Sequence, residues 1–523
     1  MPRDFFHGRH AGLLVPLFSA PSRESWGIGE LGDLPRLGAW MAGGGFSFLQ
    51  LLPINEMAEG QNSPYSAMSA MAIDPIFISP GSVPDIAALG GEDLLPPAER
   101  ALLEKARAST TIHYSAVRTV KLYALRAGFE RFMQHEWEPD TDRALSLQAF
   151  TEQARWWLDE YALFRALHAR AHGRSWQEWE APLRDRTPGA LREAREELET
   201  EILFHSYLQW LADDQWREAR QACEIGVFGD FPFMVSGDSA DVWARQEEFR
   251  LDASVGAPPD AFSETGQDWG FPAYRWDLIA AGDYGWLAAR ARRSAELFDG
   301  YRVDHLVGFF RTYAKEANGA AGFMPPDEPD QMIQGEEVLR VLRAPGSRII
   351  AEDLGVIPDF VREVLTRLEI PGYKVMRWER EWKEKGKPFK DPLTYPACSV
   401  ATSGTHDTET MAEWWDEAPV GEREALAKVD HDGPPDPDPG APFNDITRDA
   451  ILQLLYRAAS DIVLLPIQDV FGWKDRINTP ALINDDNWTW RLPWLLEDMV
   501  KDPSAAERAV FTRKLASRSR RYK

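Results

Sequence analysis

Eight short apolar runs, rich in β-branched and aromatic residues, recur along this 523-residue chain and constrain its fold more than any other feature. They are Gly12 to Phe18, Phe46 to Leu52, Gly226 to Val235, Gly300 to Asp304, Arg348 to Glu352, Gly372 to Met376, Cys398 to Thr402, and Asp461 to Pro466. Their hydrophobicity is continuous rather than alternating, as in strands of a parallel sheet buried on both faces. Several lead into helical patterns. Leu34 to Met41 is one; in another, Pro358 stands near the first turn and Phe360, Val361, Val364, Leu365 and Leu368 form an apolar stripe. Strand-helix alternation repeated about eight times predicts an α/β fold, the (β/α)8 TIM barrel.

The second and third runs are too far apart for a single crossover. Between them the chain reads as helix after helix, including Ser115 to His135, Leu147 to His172 and Pro188 to Gln221. The expected organisation is a barrel with inserted helical subdomains: residues 1–90 begin the barrel, 91–222 are the insertion, and 223–523 complete the barrel with its active-site loops. Residues 430–440 alternate Asp, Gly and Pro and read as a surface loop. Asp430, Asp432, Asp436 and Asp438 could in principle ligate calcium, but the interleaved prolines oppose the tight wrap of an EF-hand. No internal repeat is visible.

Charge and cysteine usage narrow the function classes. With 58 Lys+Arg against 83 Asp+Glu, the formal net charge is −25, which repels phosphate backbones and anionic lipid surfaces. Nucleic acid and membrane are not expected partners. The basic C-terminal cluster of Arg513, Lys514, Arg518, Arg520, Arg521 and Lys523 reads as a solvated helix end or frayed tail. Cys223 and Cys398 cannot form a disulfide framework and fit a reducing compartment. The first seven residues hold no apolar signal region, and no run of about 18 apolar residues occurs. A soluble, cytoplasmic protein is expected. Its 21 tryptophans offer flat faces suited to sugar rings, although most are expected in the core.

Two motifs invite functions that their contexts oppose. Gly27-Ile28-Gly29-Glu30-Leu31-Gly32 has the dinucleotide-binding spacing, but it is separated from the first apolar run and lacks an acid about twenty residues on. His168 and His172 lie one helical turn apart, yet Ala169 stands where a zinc protease needs glutamate, and a solvated helix face is the simpler reading. No metal or organic cofactor is expected.

The sharper signal is acidic residues at the ends of predicted barrel strands, because those ends converge on the mouth where such barrels carry their chemistry. Asp304 ends the fourth run, with Arg302 two residues earlier on the same face of the strand. A neighbouring arginine keeps a carboxylate ionised, as a nucleophile must be. Glu352 ends the fifth run, where burial would raise its pKa toward that of a proton donor. Gly404-Thr405-His406-Asp407 follows the seventh run and adds a third carboxylate with a histidine able to bond sugar hydroxyls. A structural ion pair is the alternative at each position; three acids at one end of one barrel favour catalysis.

With their surroundings, from about residue 12 to residue 491, these motifs resemble the 4-α-glucanotransferases called amylomaltases or disproportionating enzymes, glycoside hydrolase family 77. Gly12-Leu13-Leu14, Trp26 to Gly32, and Asn62-Ser63-Pro64-Tyr65 resemble the family's opening strand and turns. The longest likeness runs from Gly229-Asp230-Phe231-Pro232 through Gly237 to Trp243 and Gly256 to Gly270, which is similar to a mobile donor-site loop. The resemblance implies nucleophile, acid/base and transition-state-bracing roles for Asp304, Glu352 and Asp407. It also implies sugar contacts from Ser63, Tyr65, Asp238, Trp269, Arg302, His406 and Asn478. Phe271, Thr408 and Ala481 depart from the family pattern, the first two bearing on acceptor preference and donor length.

The implied activity moves α-1,4-glucan segments, from maltooligosaccharides or starch- or glycogen-derived dextrins, to the 4-hydroxyl of another glucan by a retaining double displacement. The same carboxylates would also serve an α-amylase-type hydrolase. A non-catalytic glucan-binding protein is the reading from another class, and the retention of all three acids counts against it.

Overall fold

The computed structural model describes residues 8–58, 60–259, 266–430, 436–480, 482 and 484–522. Eight parallel strands close into a barrel: β1 (His10–Leu14), β2 (Phe48–Gln50), β3 (Gly226–Phe231), β4 (Gly300–Val303), β5 (Arg348–Ala351), β6 (Gly372–Val375), β7 (Ser399–Thr402) and β8 (Ile462–Pro466). Each strand pairs with its sequence neighbours, and β1 pairs with β8 to complete the circle. Seven of the predicted runs contain a whole strand, and the first overlaps β1, which begins two residues before it at His10. The observed strands are shorter, because the chain turns outward once its apolar residues reach the polar mouth.

The stripe predicted after Pro358 is a helix over Asp359–Arg367 that buries Phe360, Val361, Val364 and Leu365. Leu34–Gly43 is helical and buries Leu34, Leu37, Trp40 and Met41. Between β2 and β3 the long helices are Pro97–Ala108, Tyr114–Phe132, Asp142–Arg170, Pro188–Glu197 and Glu199–Ala222. The predicted helix from Pro188 to Gln221 is therefore two, broken at Leu198. The last packs against Leu34–Gly43 and leads into β3.

A second sheet was not predicted. Strands Gln267–Tyr274, Phe249–Ala257, Thr312–Glu316 and Ala321–Met324 lie side by side in that order, all antiparallel. They come from the connections that follow β3 and β4, so the sheet stands on the mouth side of the barrel.

The glycine-rich turn near residue 30 is structural. Gly29 donates its amide to Phe18 O at 3.0 Å, and a Cβ there would meet Leu17 O at 1.9 Å. Glu30 is buried against Lys121, Nζ to Oε1 2.6 Å. The C-terminal cluster also needs correction. Arg521, expected in a solvated tail, is 1% exposed. Its guanidinium donates to the carbonyls of Tyr456, His10, Asp461, Ala458 and Ser460 at 2.7 to 3.3 Å. Of the Asp/Pro loop, residues 431–435 lie outside the described residues; Asp430 pairs with Arg457 at 3.2 Å.

Candidate active site

Polar residues enter the barrel where its apolar strands end. Asp230 of β3 and Arg302 of β4 are opposed in register, and the ladder extends one residue past β4 and β5. The Asp304 amide donates to Phe231 O, and the Glu352 amide to Val303 O, each at 3.0 Å. These bonds set Asp304 and Glu352 at one level of the mouth. Arg302 and Asp304, two residues apart on an extended chain, share a face.

Arg302 is the centre of the cluster and is 3% exposed. Its Nη1 donates to the two carboxylate oxygens of Asp230 at 2.8 and 2.7 Å. Its Nη2 donates to Asp304 Oδ1 at 2.8 Å and lies 3.8 Å from Glu352 Oε2. One buried cation therefore faces three carboxylates, more negative charge than it can neutralise. The excess falls on the acid best able to take a proton. Burial pushes Glu352 up to about 7; Asp304 and Asp407 add to that rise, while Arg302 and the His305 amide oppose it. That amide donates to Glu352 Oε2 at 2.7 Å. His305 has φ 43°, and the left-handed turn aims its amide at the acid. Asp304, by contrast, holds a direct charge-assisted bond to the guanidinium.

Asp407 is held the other way. Burial alone would raise it, but His406 and Asn478 outweigh burial and bring it down to about 2, although the side chain opens to the cleft. His406 Nε2 is 3.2 Å from Asp407 Oδ2, and Asn478 Nδ2 donates to Oδ1 at 2.6 Å. Tyr65 joins the two halves of the ring. Its hydroxyl donates to Asp230 Oδ2 at 2.7 Å and lies 3.0 Å from His406 Nε2. The tyrosine and imidazole rings stack with centroids 5.6 Å apart. Ser63 Oγ accepts from the Tyr65 amide at 3.3 Å, shaping the turn that presents the tyrosine.

Trp269 reaches this cluster from the antiparallel sheet, its ring edge-on to His305 at 4.8 Å. Residues 260–265 of the same predicted donor-site stretch lie outside the described residues. The structure does not join Asp238 to the network. Its Oδ1 accepts from the Trp176 amide at 3.1 Å, and its Oδ2 lies 3.6 Å from His168 Nε2. His168, expected on a solvated helix face, is instead 2% exposed, with Phe164 stacked on its ring. Among the described residues, no group of three or more His, Cys, Asp and Glu is placed to hold a metal ion.

Two members were missed in the sequence. Asp230 lies within the predicted third strand, where an acid following Gly229 was the available signal. Trp488 packs 5.7 Å from Tyr65 and 5.8 Å from His406; it comes from a long loop, and nothing in the local sequence marks it.

A closed (β/α)8 barrel with two carboxylates facing one arginine at its mouth has the layout of a glycoside-processing barrel enzyme. A family model of the 4-alpha-glucanotransferases matches residues 15–497. The 4-alpha-glucanotransferase of Chlamydia pneumoniae is 33% identical over 510 residues, spanning 93% of this chain and 92% of its own. That of Thermus thermophilus is 32% identical over 524 residues, spanning 94% and 95%. Amylomaltase from Streptococcus agalactiae, solved in complex with acarbose, shares the fold with a TM-score of 0.82 at 24% identity, covering 98% of this chain and 100% of its own. The chain belongs to the 4-alpha-glucanotransferase family, glycoside hydrolase family 77, and is a glycosyl-transferring enzyme.

Proposed function

We propose that Asp304 is the nucleophile and Glu352 the general acid/base of a retaining transfer between α-1,4-glucans. The observation that carries this reading is the shared Arg302 Nη2, which bonds Asp304 directly and approaches Glu352 at 3.8 Å. The close carboxylate spacing of retaining enzymes, about 5 Å, fits within one guanidinium's reach. Glu352, protonated up to about pH 7, gives its proton to the leaving 4-oxygen while Asp304 attacks the anomeric carbon. The oxocarbenium-like charge that develops is braced by Asp407, ionised at the rim. Glu352, now a carboxylate, takes the proton of an incoming 4-hydroxyl, and that oxygen displaces Asp304.

Tyr65, His406, Asn478, Ser63 and Arg302 would shape the donor subsite around these acids, with Trp269 as a stacking face. Asp238 would contact glucan further out, where its loop meets the inserted helices. Maltooligosaccharides and starch- or glycogen-derived dextrins are the proposed substrates, in a cytoplasmic setting that suits two free cysteines. Among the described residues, no helix is long and apolar enough to cross a membrane. We also propose residues 91–222 as the unit inserted in the barrel, flanked by 1–90 and 223–523.

Maltotriose alone tests the activity. Transfer yields glucose with maltopentaose and longer chains while total reducing ends stay nearly constant, because each bond broken is replaced. Reducing ends rising in step with maltotriose loss, with no longer product, would make the enzyme a hydrolase; no change even with maltoheptaose would make it a binding protein.

A further inference from the structure

A groove of about 770 Å3 lies far from the mouth, between helices Asp142–Arg170, Glu199–Ala222 and Gly285–Leu297. The last two helices run directly into β3 and β4, and Asp299 of the groove accepts from the Val227 amide at 2.9 Å. The groove is therefore at the N-terminal ends of these strands, whereas Asp230, Asp304 and Glu352 are at the C-terminal ends. No part of it belongs to the catalytic cleft.

Its lining joins two kinds of surface. Trp157, Trp210 and Trp216 form a nearly buried floor, and Phe150 and Trp156 are half-exposed beside them. The indoles are held in place: Trp216 Nε1 donates to Leu297 O at 2.8 Å, and Arg292 caps Trp156 at 4.5 Å from the ring centroid. The rim is charged but internally paired. Arg217 bonds Asp214, Arg220 bonds Asp299 at 2.7 Å, and Arg293 bonds Asp213 at 2.6 Å.

Rigid aromatic faces beside paired carboxylates and guanidinium groups suit a ligand with apolar C-H faces and many neutral hydroxyls. They do not suit a phosphate or an acidic peptide. Each of these arginines already has an acid, and a chain of net charge −25 repels anions. The size lies within the range of ligand-binding pockets. We propose that this groove is a non-catalytic binding site for α-1,4-glucan chains. The identification of the glucan rests on the proposed function above. A glucan long enough to occupy the groove and the cleft is held at two points, which raises its local concentration at the mouth. Maltotriose is too short to bridge both and gains nothing.

Trp156→Ala removes the half-exposed platform, and Ala149→Arg obstructs the groove from an exposed helix position without touching the core. Each is compared with the unaltered enzyme by electrophoresis through gels containing soluble amylopectin and by maltotriose transfer kinetics. Both variants are expected to lose amylopectin retardation by about fivefold or more, with kcat/KM for maltotriose within about twofold of the parent. Retardation unchanged in both variants overturns the proposal. So does loss of maltotriose activity in both, since the groove would then be structural. If the unaltered enzyme is retarded but does not rearrange maltotriose, the catalytic reading fails, and the groove stands if the variants abolish that retardation.

Discussion

Removing Arg302 probes whether one buried cation organises the site. In Arg302→Met, Asp230 loses both guanidinium bonds, its side chain is fully buried, and the Tyr65 hydroxyl is its remaining hydrogen-bond donor in the cluster. A buried charge left without its partner costs about 3–5 kcal/mol, a large share of a typical stability of about 5–15 kcal/mol. Asp304 loses less, since part of its side chain already reaches solvent. Glu352 loses an attraction that lowers its pKa and should hold its proton to higher pH. The variant should therefore unfold at markedly lower urea and lose transfer by about a hundredfold or more, as when an electrostatic contact to the transition state is deleted. Adding Asp230→Asn removes the orphaned charge, so Arg302→Met/Asp230→Asn should recover most of the stability and none of the activity. Urea unfolding beside maltotriose transfer reads both quantities. A single variant as stable as the parent, or a double variant that regains turnover, would refute the argument.

The value near 7 for Glu352 predicts that kcat/KM for maltotriose falls as pH rises through about 7, because the proposed general acid loses its proton there. Asp407→Asn removes a negative charge that raises Glu352, so in a pH-rate profile the alkaline limb of its residual activity should move to lower pH. An unmoved or higher limb would contradict the assignment. Arg521→Ala leaves five carbonyls at the barrel's closing seam without this donor. It should cost about 2 kcal/mol or more, seen as a lower melting temperature with unchanged maltotriose kinetics; an unchanged melting temperature would contradict it.

The barrel was legible because most strands are predominantly apolar and buried on both faces, a pattern local in sequence. Asp304 and Glu352 were legible because each ends such a run. Asp230 was not, since the apolar run continues past it to Val235 and hides the strand end. The antiparallel sheet was hidden for another reason. Phe249–Ala257 mixes Arg, Asp and Ser into its pattern, Gln267–Tyr274 contains Pro272, and Thr312–Glu316, which joins them to the rest of the sheet through Phe249–Ala257, lies across β4 in sequence. Long-range pairing, rather than local preference, makes those segments strands. The same distance hid Arg521, whose carbonyl partners come from His10 and from residues 456–461. Trp488 reaches Tyr65 from a turn with no periodic pattern, so only the folded chain brings the two rings together.

The central claim is that Asp304 becomes covalently bonded to the sugar. Glu352→Gln, which cannot activate an incoming hydroxyl, should accumulate that intermediate when supplied with α-maltotriosyl fluoride, whose leaving group needs no proton. Intact mass spectrometry followed by peptide mapping is the measurement. The account predicts one added maltotriosyl group on the peptide containing Asp304, absent in Glu352→Gln/Asp304→Asn. An adduct on another carboxylate, or fluoride released with no adduct at any time during turnover, would contradict it.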